Sequence, residues 1–384
     1  MRFDLIVVGG GIVGMSLARI VRGRSIALVS GAMPQARSGP ADLDARVYAL
    51  SPGNVEFLRA MKVWGLIPAE RVNPVHAMQV FGDARNASIE FDAYRAGVPE
   101  LAWIVEDRVL QAALWQALQS QDMLEVFSAQ CASLEIVETA KLKLEDSRTL
   151  EADLVVGADG ADSFVRTAAG IAVREKSYGQ SAVVANFACE RDHEDTAYQW
   201  FQGGQVLALL PLPGRQVSMV WSVAASEAAR LLALDHQQLA QEVGVASKRM
   251  VGDLNVLTPP QAFPLRRMLA ERMVGPGVAL AGDSAHVIHP LAGQGLNLGL
   301  QDVRSLGATL MHREPVRAAG DIRLLRRYER DRREAILAMS AGVDALHQLF
   351  SGHNTLMGAA RNLGLNLTNR LPVIKNLLLR HALA

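Results

Sequence analysis

The first part of the chain alternates between short apolar runs and a glycine-rich turn. Residues 3–8 are apolar and predict a buried strand, residues 9–14 predict a turn, residues 12–21 a helix and residues 25–29 a second strand. A strand, a helix and a strand in this order make the two strands parallel, because the helix returns the chain to the edge where it started. The pattern therefore predicts an α/β domain with a parallel sheet.

The pattern changes after residue 100. Leucines at helical spacing predict a helix over residues 107–118, with Asp107 as its N-cap. The apolar segments that follow predict strands at residues 124–137, 142–144 and 154–156. The last of these strands leads directly into a turn that contains glycine and aspartate, so its end is a candidate for ligand binding.

Residues 181–222 have a different texture, because short apolar segments are separated by Gly-Gly and Pro-Gly turns and no long helix interrupts them. This texture predicts an antiparallel sheet in a separate region of the molecule. Its strands are expected at residues 182–188, 206–210 and 217–221. The helical pattern then returns at residues 224–245, 293–310 and 322–349.

A glycine fingerprint lies between the first strand and the first helix. Gly9, Gly11 and Gly14 form the pattern G-x-G-x-x-G. In this setting the first glycine permits a tight turn, the second lets a pyrophosphate approach the backbone, and the third lets helix and strand pack closely. The N–H groups at the helix start, including those of Ile12 and Val13, then face the phosphates. The fingerprint predicts a dinucleotide-binding site.

Ser30 stands at the end of the second strand, where the fingerprint normally has an acidic residue that holds a ribose. A serine can form a hydrogen bond but not a charged bidentate pair. We therefore expect ribose binding to be weaker than with an acid by about 1–2 kcal/mol, or roughly tenfold in affinity. Ser30 is a candidate cofactor-binding residue.

Two further strands end in acidic residues. Asp159 follows the strand predicted at residues 154–156, and Asp283 follows an apolar run at residues 278–281. The carboxyl ends of parallel strands share one edge of a sheet, and ligands bind along that edge. Both aspartates and the glycine turn are therefore expected to meet there.

The loop after Asp283 leads into the N-terminus of a helix. Its last residues are Gly293, Gln294, Gly295, Leu296 and Asn297. The N–H groups at such a helix start stabilise a partial negative charge by roughly 0.3–1 kcal/mol. A reduced flavin carries such a charge at its pyrimidine edge, whereas a neutral nicotinamide does not. We therefore expect FAD, rather than NAD, at the glycine fingerprint.

Composition excludes several classes of function. The chain has 39 basic and 39 acidic residues, so nothing favours nucleic-acid binding. Cys131 and Cys189 do not make a disulfide framework and are expected to be structural thiols in a cytoplasmic protein. His286 and His289 lack a third ligand nearby, so no metal site is expected. The sequence has no Gly-x-Ser-x-Gly motif, and a serine hydrolase is therefore unsupported.

Further segments, taken with these motifs, carry a family resemblance. They are Asp44-Ala45-Arg46, Ile104-Val105-Glu106, Gly157-Ala158-Asp159-Gly160, Leu210-Pro211-Leu212, Phe263-Pro264-Leu265 and Gly282-Asp283 through Gly299. Over about residues 3–350 the chain resembles the group A flavoprotein monooxygenases, which share the para-hydroxybenzoate hydroxylase-like fold. Within that group it is similar to the ubiquinone-biosynthesis hydroxylases, chiefly around Arg46 and in residues 293–299.

The resemblance implies an α/β fold with three parts. These are a Rossmann-like FAD-binding domain, a substrate domain with a mixed or antiparallel sheet, and a helical C-terminus. The FAD-binding domain would be discontinuous and comprise residues 1–70, 100–175 and 263–345. The substrate domain would comprise residues 71–99 and 176–262, and residues 346–384 would form the C-terminal helical segment.

The resemblance also implies roles for individual residues. The three fingerprint glycines would hold the pyrophosphate of FAD, and Arg46 would contact the cofactor. Asp283 would hydrogen-bond the ribityl chain, and Pro290 with residues 293–297 would lie beside the flavin ring. Asp159 would serve both the FAD and the pyridine-nucleotide regions.

Hydroxylation of an aromatic ring is the activity that the resemblance implies. NAD(P)H would be a transient co-substrate that reduces FAD, and O₂ would supply the oxygen atom added to a hydrophobic polyprenyl phenol in ubiquinone biosynthesis. Two alternatives stay open: a group A hydroxylase of a small soluble phenol, and a flavoprotein reductase or non-catalytic assembly subunit. Arg108 is a further candidate for cofactor binding, and no catalytic acid or base is predicted.

A polyprenyl phenol resides in a membrane, so part of the protein should reach the bilayer surface. Residues 355–384 contain basic residues and no acid. They would form either an amphipathic helix on the membrane surface or a helix packed on the protein or its partners. No apolar run approaches the roughly 20 residues needed to cross a bilayer. We expect a cytoplasmic protein, peripheral to the inner face of the cytoplasmic membrane, that contacts other ubiquinone-biosynthesis proteins.

Overall fold

A computed structural model of the chain describes residues 1–32, 43–82, 87–289 and 293–351, with side chains as far as residue 345. Pro290 and most of the expected C-terminal segment lie outside the described residues, so those expectations stay predictions. Within the described ranges, no helix combines the length and the apolar character needed to cross a bilayer.

The described chain contains strands and helices in comparable amounts. The strands are β1 (Arg2–Val8), β2 (Ile26–Ser30), β3 (Val47–Leu50), β4 (Val72–Val75), β5 (Ala77–Phe81), β6 (Ser88–Asp92), β7 (Ala102–Glu106), β8 (Leu124–Ser128), β9 (Cys131–Ile136), β10 (Ala140–Leu144), β11 (Thr149–Gly157), β12 (Val173–Cys189), β13 (Thr196–Gln202), β14 (Gln205–Leu212), β15 (Gln216–Ala224), β16 (Leu254–Val256), β17 (Gln261–Ala270), β18 (Val274–Gly275), β19 (Val278–Leu280) and β20 (His286–Val287). The helices are α1 (Ile12–Ile20), α2 (Pro52–Ala60), α3 (Ala93–Ala96), α4 (Asp107–Gln119), α5 (Phe164–Ala168), α6 (Ala225–Leu232), α7 (His236–Ala246), α8 (Gly295–Met311) and α9 (Ile322–Ser351).

The first sheet contains the predicted parallel strands. In the described part of the chain its order is β18-β19-β11-β1-β2-β8, with β10 and β9 continuing from β11. Neighbouring strands from β19 to β8 are parallel. Ile6, Val7 and Val155 at its centre are fully buried. These strands are apolar without alternation because both of their faces are covered, as is usual in parallel sheets.

The second sheet confirms the antiparallel strands expected in residues 181–222 and contains one more strand there that the sequence pattern missed. Its order over the described residues is β20-β17-β12-β15-β14-β13-β5-β6, with β16 beside β12. The pairs from β12 to β13 are antiparallel as expected. The sequence pattern missed β13, which is aromatic and polar rather than aliphatic, and β13 is parallel to β5. The sheet is therefore mixed.

A small third sheet, with the order β3-β7-β4, connects the two larger ones. Leu50 and Val105 pack into the core of the first sheet. Ile104 and Val75 instead pack with Leu212 of the second sheet. Since alternate residues of β7 face opposite cores, this sheet fixes the two larger sheets relative to each other.

Three local predictions differ from the structure. Asp107 is the first residue of α4 rather than its cap, because Glu106 holds the N-cap position, and the Asp107 carboxylate accepts a hydrogen bond from Gln111 Nε2 at 2.8 Å. The single strand expected at residues 124–137 is divided into β8 and β9. Likewise, the helical stretch at residues 224–245 breaks into α6 and α7.

The expected domain boundaries stay a prediction. Two strands of the second sheet run across them, since β12 begins at Val173 and β17 ends at Ala270. Both strands therefore extend from the second sheet towards the region assigned to the FAD-binding domain.

Candidate cofactor site

The ends of three neighbouring strands build the site. β1, β11 and β19 are adjacent and parallel, so their carboxyl ends share one edge of the first sheet. Gly9 directly follows β1, while Asp159 and Asp283 follow β11 and β19. The expectation that these residues come together at one sheet edge is confirmed.

The fingerprint glycines divide into two that are packed against protein and one that faces open space. Gly9 has a φ of +117°, and a Cβ at this position would lie 2.1 Å from the carbonyl oxygen of Ala158. A Cβ on Gly14 would lie 1.9 Å from the carbonyl oxygen of Gly9. Around Gly11, no described atom lies within 4 Å of such a Cβ. The space beside Gly11 is therefore where a ligand can approach the backbone.

The start of α1 presents backbone donors to that space. Gly11 is the N-cap residue and no side chain caps the helix. The first N–H groups of a helix have no intrahelical acceptor and favour an anion. The side chain of Val13 packs against Gly282 and Gly299 instead of facing that space. A Cβ on Gly282 would lie 3.0 Å from Val13 Cγ2, and one on Gly299 would lie 2.8 Å from it. Ile12 and Val13 can therefore contribute backbone N–H groups, not side chains, to a cofactor.

Ser30 lies beside the glycine turn, as its predicted role requires. Its Oγ is 2.7 Å from the position that a Cβ on Gly10 would occupy. The hydroxyl donates a hydrogen bond to the carbonyl oxygen of Ala32 at 2.7 Å. Since its proton is used locally, Ser30 can offer a ribose only an acceptor, and a contact with ribose stays a prediction.

Replacement of Ser30 by glutamate is expected to tighten FAD binding by about tenfold, because a carboxylate can accept two hydrogen bonds from a ribose. The measurement is a titration of the apoprotein followed by flavin fluorescence. Ser30→Gln, which has the same length but no charge, is the matched control and should give a much smaller gain. Unchanged or weaker binding in Ser30→Glu would show that the ribose has another partner.

Asp159 is held by the beginning of α5. It accepts a hydrogen bond from Ser163 Oγ at 2.5 Å and another from the backbone N–H of Val165 at 3.1 Å. Burial raises the pKa of Asp159, although both hydrogen bonds act in the opposite direction. Arg166 fixes this turn further by donating to the carbonyl oxygens of Ser284 at 3.0 Å and Ala161 at 2.8 Å. Asp159 therefore orders the turn at the sheet edge, and its contact with a nucleotide stays a prediction.

Asp283 and Arg46 interact electrostatically at the site. The side chain of Asp283 is exposed, yet desolvation of its carboxyl by the surrounding protein raises the pKa, while the charges of His286 and Arg46 oppose that rise. Burial would lower the pKa of Arg46, but Tyr48, Asp107 and Asp283 together raise it. The site thus combines a fixed positive charge with an accessible carboxylate.

The guanidinium of Arg46 also joins two sheets. It lies 5.5 Å from the ring centroid of Tyr48 on β3 and 5.8 Å from that of Phe263 on β17. Cation–π contacts of this kind orient an arginine without using all of its N–H donors. Arg46 is therefore placed between the small third sheet and the second sheet, within electrostatic reach of Asp283.

The start of α8 is tied to the rest of the site through Asn297. The Nδ2 group of this buried residue donates to the carbonyl oxygen of Ala49 at 2.9 Å. Its Oδ1 accepts from the backbone N–H of Ser51 and from Asn54 Nδ2, both at 2.9 Å. Since the side chain is fully used, a contact of Asn297 with a flavin would involve its backbone N–H.

The other residues at the start of α8 are also placed to donate through their backbone N–H groups. Gln294 is the N-cap residue of α8 and makes no side-chain cap. The N–H groups of Gly295, Leu296 and Asn297 lie in the first turn, where no intrahelical acceptor is available. Contacts of residues 293–297 with a flavin ring stay a prediction, and the described geometry fits backbone donation.

Arg108 contacts Asp44 with both its side chain and its backbone. Its side chain is 57% exposed, and its Nε lies 3.6 Å from Asp44 Oδ2. Its backbone N–H also donates to Asp44 at 3.2 Å. A contact with the cofactor stays a prediction, while its place beside Asp44 is structural.

Sequence reasoning missed the ion pair that supports the Arg46 segment. Glu106 is buried and accepts two hydrogen bonds from Arg71, from Nε at 2.7 Å and from Nη2 at 2.8 Å. It also accepts from the backbone N–H of Asp44 at 2.6 Å. An acid at the buried end of the Ile104-Val105-Glu106 strand was the signal, because a buried carboxylate needs a partner.

The two histidines that drew attention in the sequence have separate partners. His286 Nε2 lies 2.6 Å from Asp302 Oδ2. The ring of His289 packs edge-on against Tyr178, with 4.7 Å between ring centroids. Among the residues that the structure describes, no group of three or more potential ligands could hold a metal ion.

Comparison with known sequences identifies the family. A family model for the FAD binding domain matches residues 2–342. The 3-demethoxyubiquinol 3-hydroxylase of Escherichia coli is 35% identical over 387 residues, which cover 99% of this chain and 98% of the relative. The ubiquinone hydroxylase UbiL of Rhodospirillum rubrum is 33% identical over 385 residues, which cover 99% and 89% of the two chains.

Solved structures agree on the fold. PqsL of Pseudomonas aeruginosa, a probable FAD-dependent monooxygenase, superposes with a TM-score of 0.80 at 21% identity, over 96% of this chain and 100% of the other. HpxO of Klebsiella pneumoniae, solved with FAD and uric acid, gives a TM-score of 0.77 at 18% identity, over 100% and 97%. At these identities the likeness shows the fold alone.

The fold and the site define an FAD-dependent monooxygenase, in which NAD(P)H is the typical co-substrate. The chain belongs to the FAD-binding-domain family, and within it to the ubiquinone-biosynthesis hydroxylases. The residues present fit FAD, because the cradle around Gly11 is open while Gly9 and Gly14 are packed too closely for any side chain.

Proposed function

We propose that this protein uses FAD, NAD(P)H and O₂ to hydroxylate the aromatic ring of a polyprenyl phenol in ubiquinone biosynthesis. The observation that carries the proposal is the full-length similarity to a 3-demethoxyubiquinol 3-hydroxylase, at 35% identity over 99% of the chain. The open glycine cradle and the placement of Arg46 between two sheets support it.

Bound FAD supplies the electron transfer and the oxygen activation. The protein residues bind and orient it. The backbone at Gly11 and the start of α1 would hold the pyrophosphate, and the accessible carboxylate of Asp283 would accept hydrogen bonds from the ribityl hydroxyls. The N–H groups at the start of α8 would face the pyrimidine edge of the ring, where they favour negative charge.

A hydrophobic substrate is supported by the second sheet. Val183, Met219 and Leu209 pack under α6 and α7, so the alternate residues of the same strands face the other side. Those residues include the apolar Val184 and Val220 and the polar Ser218 and Ser222. On that same side, the Nδ2 group of the next alternate residue, Asn186, donates to the carbonyl oxygen of Asp44 at 2.8 Å, close in the chain to Arg46. The face towards Arg46 is therefore suited to a phenol with an apolar tail.

The experiment that tests the proposal measures coupling. Purified holoenzyme is given a prenylated phenol, O₂ and NADH or NADPH, and the hydroxylated product and hydrogen peroxide are quantified against the nicotinamide consumed. Hydroxylated product in proportion to the nicotinamide oxidised supports the proposal. Stoichiometric peroxide with every phenol tried would contradict it. A small soluble phenol is tested in parallel. Coupled hydroxylation of that phenol, and not of the prenylated one, would favour the alternative, a hydroxylase of small soluble phenols.

Access to a membrane-resident substrate is part of the proposal. Residues 355–384, which would lie on the membrane surface or pack on the protein or its partners, are outside the described residues. Contacts with a membrane surface or with other ubiquinone-biosynthesis proteins stay predictions. Residues 355–384 contain basic residues and no acidic ones, which supports attraction to an anionic lipid surface.

A further inference from the structure

One buried carboxylate lies directly behind the cofactor edge of the first sheet. Asp302 on α8 is 0% exposed. Its Oδ2 accepts from the backbone N–H of Gly282 at 2.9 Å and lies 2.6 Å from His286 Nε2. Its Oδ1 accepts from Arg332 Nε on α9 at 2.9 Å. A single side chain thus connects α8, α9, β20 and the turn after β19.

Such a carboxylate is stable only because its charge is matched. Burial by itself would raise the pKa of Asp302, but His286 and Arg332 outweigh it and hold the pKa below its ordinary value. Arg332 is buried as well and donates a second hydrogen bond to Gln301 Oε1 at 3.0 Å. Removing one partner of a buried ion pair is strongly destabilising, whereas replacing both partners by apolar residues often is not. Stability alone therefore does not account for this ion pair, and its geometry points to a further role.

The contact with Gly282 suggests that role. Gly282 has a φ of +64°, a left-handed conformation that side chains disfavour, and a Cβ here would lie 3.0 Å from Val13 of α1. The turn is therefore both strained for other residues and tightly packed. The hydrogen bond to Asp302 fixes the Ala281–Gly282 peptide, one peptide before Asp283, the residue whose side chain is exposed at the site.

We propose that Asp302 is a positioning residue for FAD, which holds the Gly282–Asp283 turn so that the Asp283 carboxylate meets the ribityl chain. The inference rests on the proposed function, because it uses the contact between Asp283 and FAD. His286 and Arg332 keep Asp302 ionised and oriented, and none of the three side chains needs to touch the cofactor.

The test compares FAD affinity with apoprotein stability. Asp302→Asn keeps the shape but has one acceptor oxygen instead of two, so it cannot accept from both Gly282 and Arg332. We expect it to weaken FAD binding by about tenfold or more, which corresponds to about 1.4 kcal/mol. The dissociation constant is measured by titrating apoprotein with FAD, and the melting temperature of each apoprotein is recorded in parallel. The control is Tyr328→Phe on the same helix as Arg332. It removes a buried hydrogen bond from Tyr328 Oη to the carbonyl oxygen of Leu280, 2.8 Å long, and should lower the melting temperature but leave FAD affinity unchanged.

A second variant covers the case in which Asp302→Asn does not fold. The double variant Asp302→Leu and Arg332→Leu removes both charges of the pair, so no unpaired Asp302 or Arg332 charge is buried and the apoprotein should fold. A leucine at position 302 has no acceptor at all for the N–H of Gly282, so this variant should bind FAD weakly. Wild-type affinity in this double variant, or in a folded Asp302→Asn protein, would overturn the inference.

Asp283→Ala separates failure of the inference from failure of the proposed site. If Asp283→Ala weakens FAD binding and the Asp302 variants do not, the site is supported and the positioning role is wrong. If Asp283→Ala itself binds FAD as tightly as the wild type, the proposed contact with the ribityl chain is wrong, and the positioning role is wrong with it.

Discussion

Replacement of Gly11 by alanine is expected to weaken FAD binding by about 100-fold, or about 2.7 kcal/mol, while leaving the melting temperature of the apoprotein unchanged. The backbone of Gly11 is extended, with φ −79° and ψ −178°, which alanine adopts without strain. No described atom lies within 4 Å of the new methyl group. The methyl group would therefore meet only the bound pyrophosphate and would hold it away from the N–H groups of α1.

Gly14→Ala is the matched comparison, because the same methyl group then meets protein. Its Cβ would lie 1.9 Å from the carbonyl oxygen of Gly9. We expect the apoprotein to lose about 1–3 kcal/mol of unfolding free energy from overpacking, together with FAD affinity. Equal melting temperatures and equal FAD dissociation constants for wild type and Gly11→Ala would show that the pyrophosphate does not approach this position.

The parts of the fold that sequence could predict are those in which local pattern and ligand chemistry coincide. The β1–α1–β2 unit was predicted because apolar runs flank a glycine turn, and the first sheet confirms it. The meeting of Gly9, Asp159 and Asp283 was predicted because parallel strands share their carboxyl edge. Both arguments use residues that are close in sequence or a rule of topology that holds for any parallel sheet.

The parts that sequence could not predict depend on partners far away in the chain. The hydrogen bond between Gly282 and Asp302 spans 20 residues, and the one between Ser51 and Asn297 spans 246. Asn297 was predicted to hold a flavin, yet its side chain joins α8 to β3 and α2. The pattern also missed β13, because a strand rich in Tyr, Trp and Gln has no aliphatic alternation. Pairings of this kind emerge only when the sheets are assembled.

Replacement of Arg46 by alanine is expected to lower kcat/KM for hydroxylation by about 30-fold and to increase the share of NAD(P)H that yields peroxide. A charge-assisted hydrogen bond contributes roughly 1.5–3 kcal/mol. The guanidinium lies between Tyr48 of the small third sheet and Phe263 of the second sheet. It also interacts electrostatically with the carboxylate of Asp283, so its loss removes a positive charge next to the cofactor edge. Product, peroxide and NAD(P)H are measured together with the FAD dissociation constant.

Two further variants decide whether the charge or the shape of Arg46 matters. Arg46→Lys keeps the charge but loses the planar group that stacks on rings and donates in pairs, so recovery to wild-type coupling would assign the effect to charge alone. We expect only partial recovery, because Tyr48 and Phe263 bracket a flat guanidinium. Arg95→Ala, which removes an exposed arginine 3.9 Å from Glu90, should change neither coupling nor FAD affinity. If Arg46→Ala behaves like Arg95→Ala, the guanidinium has no part in binding or orienting either cofactor or substrate, and its place between the sheets is structural.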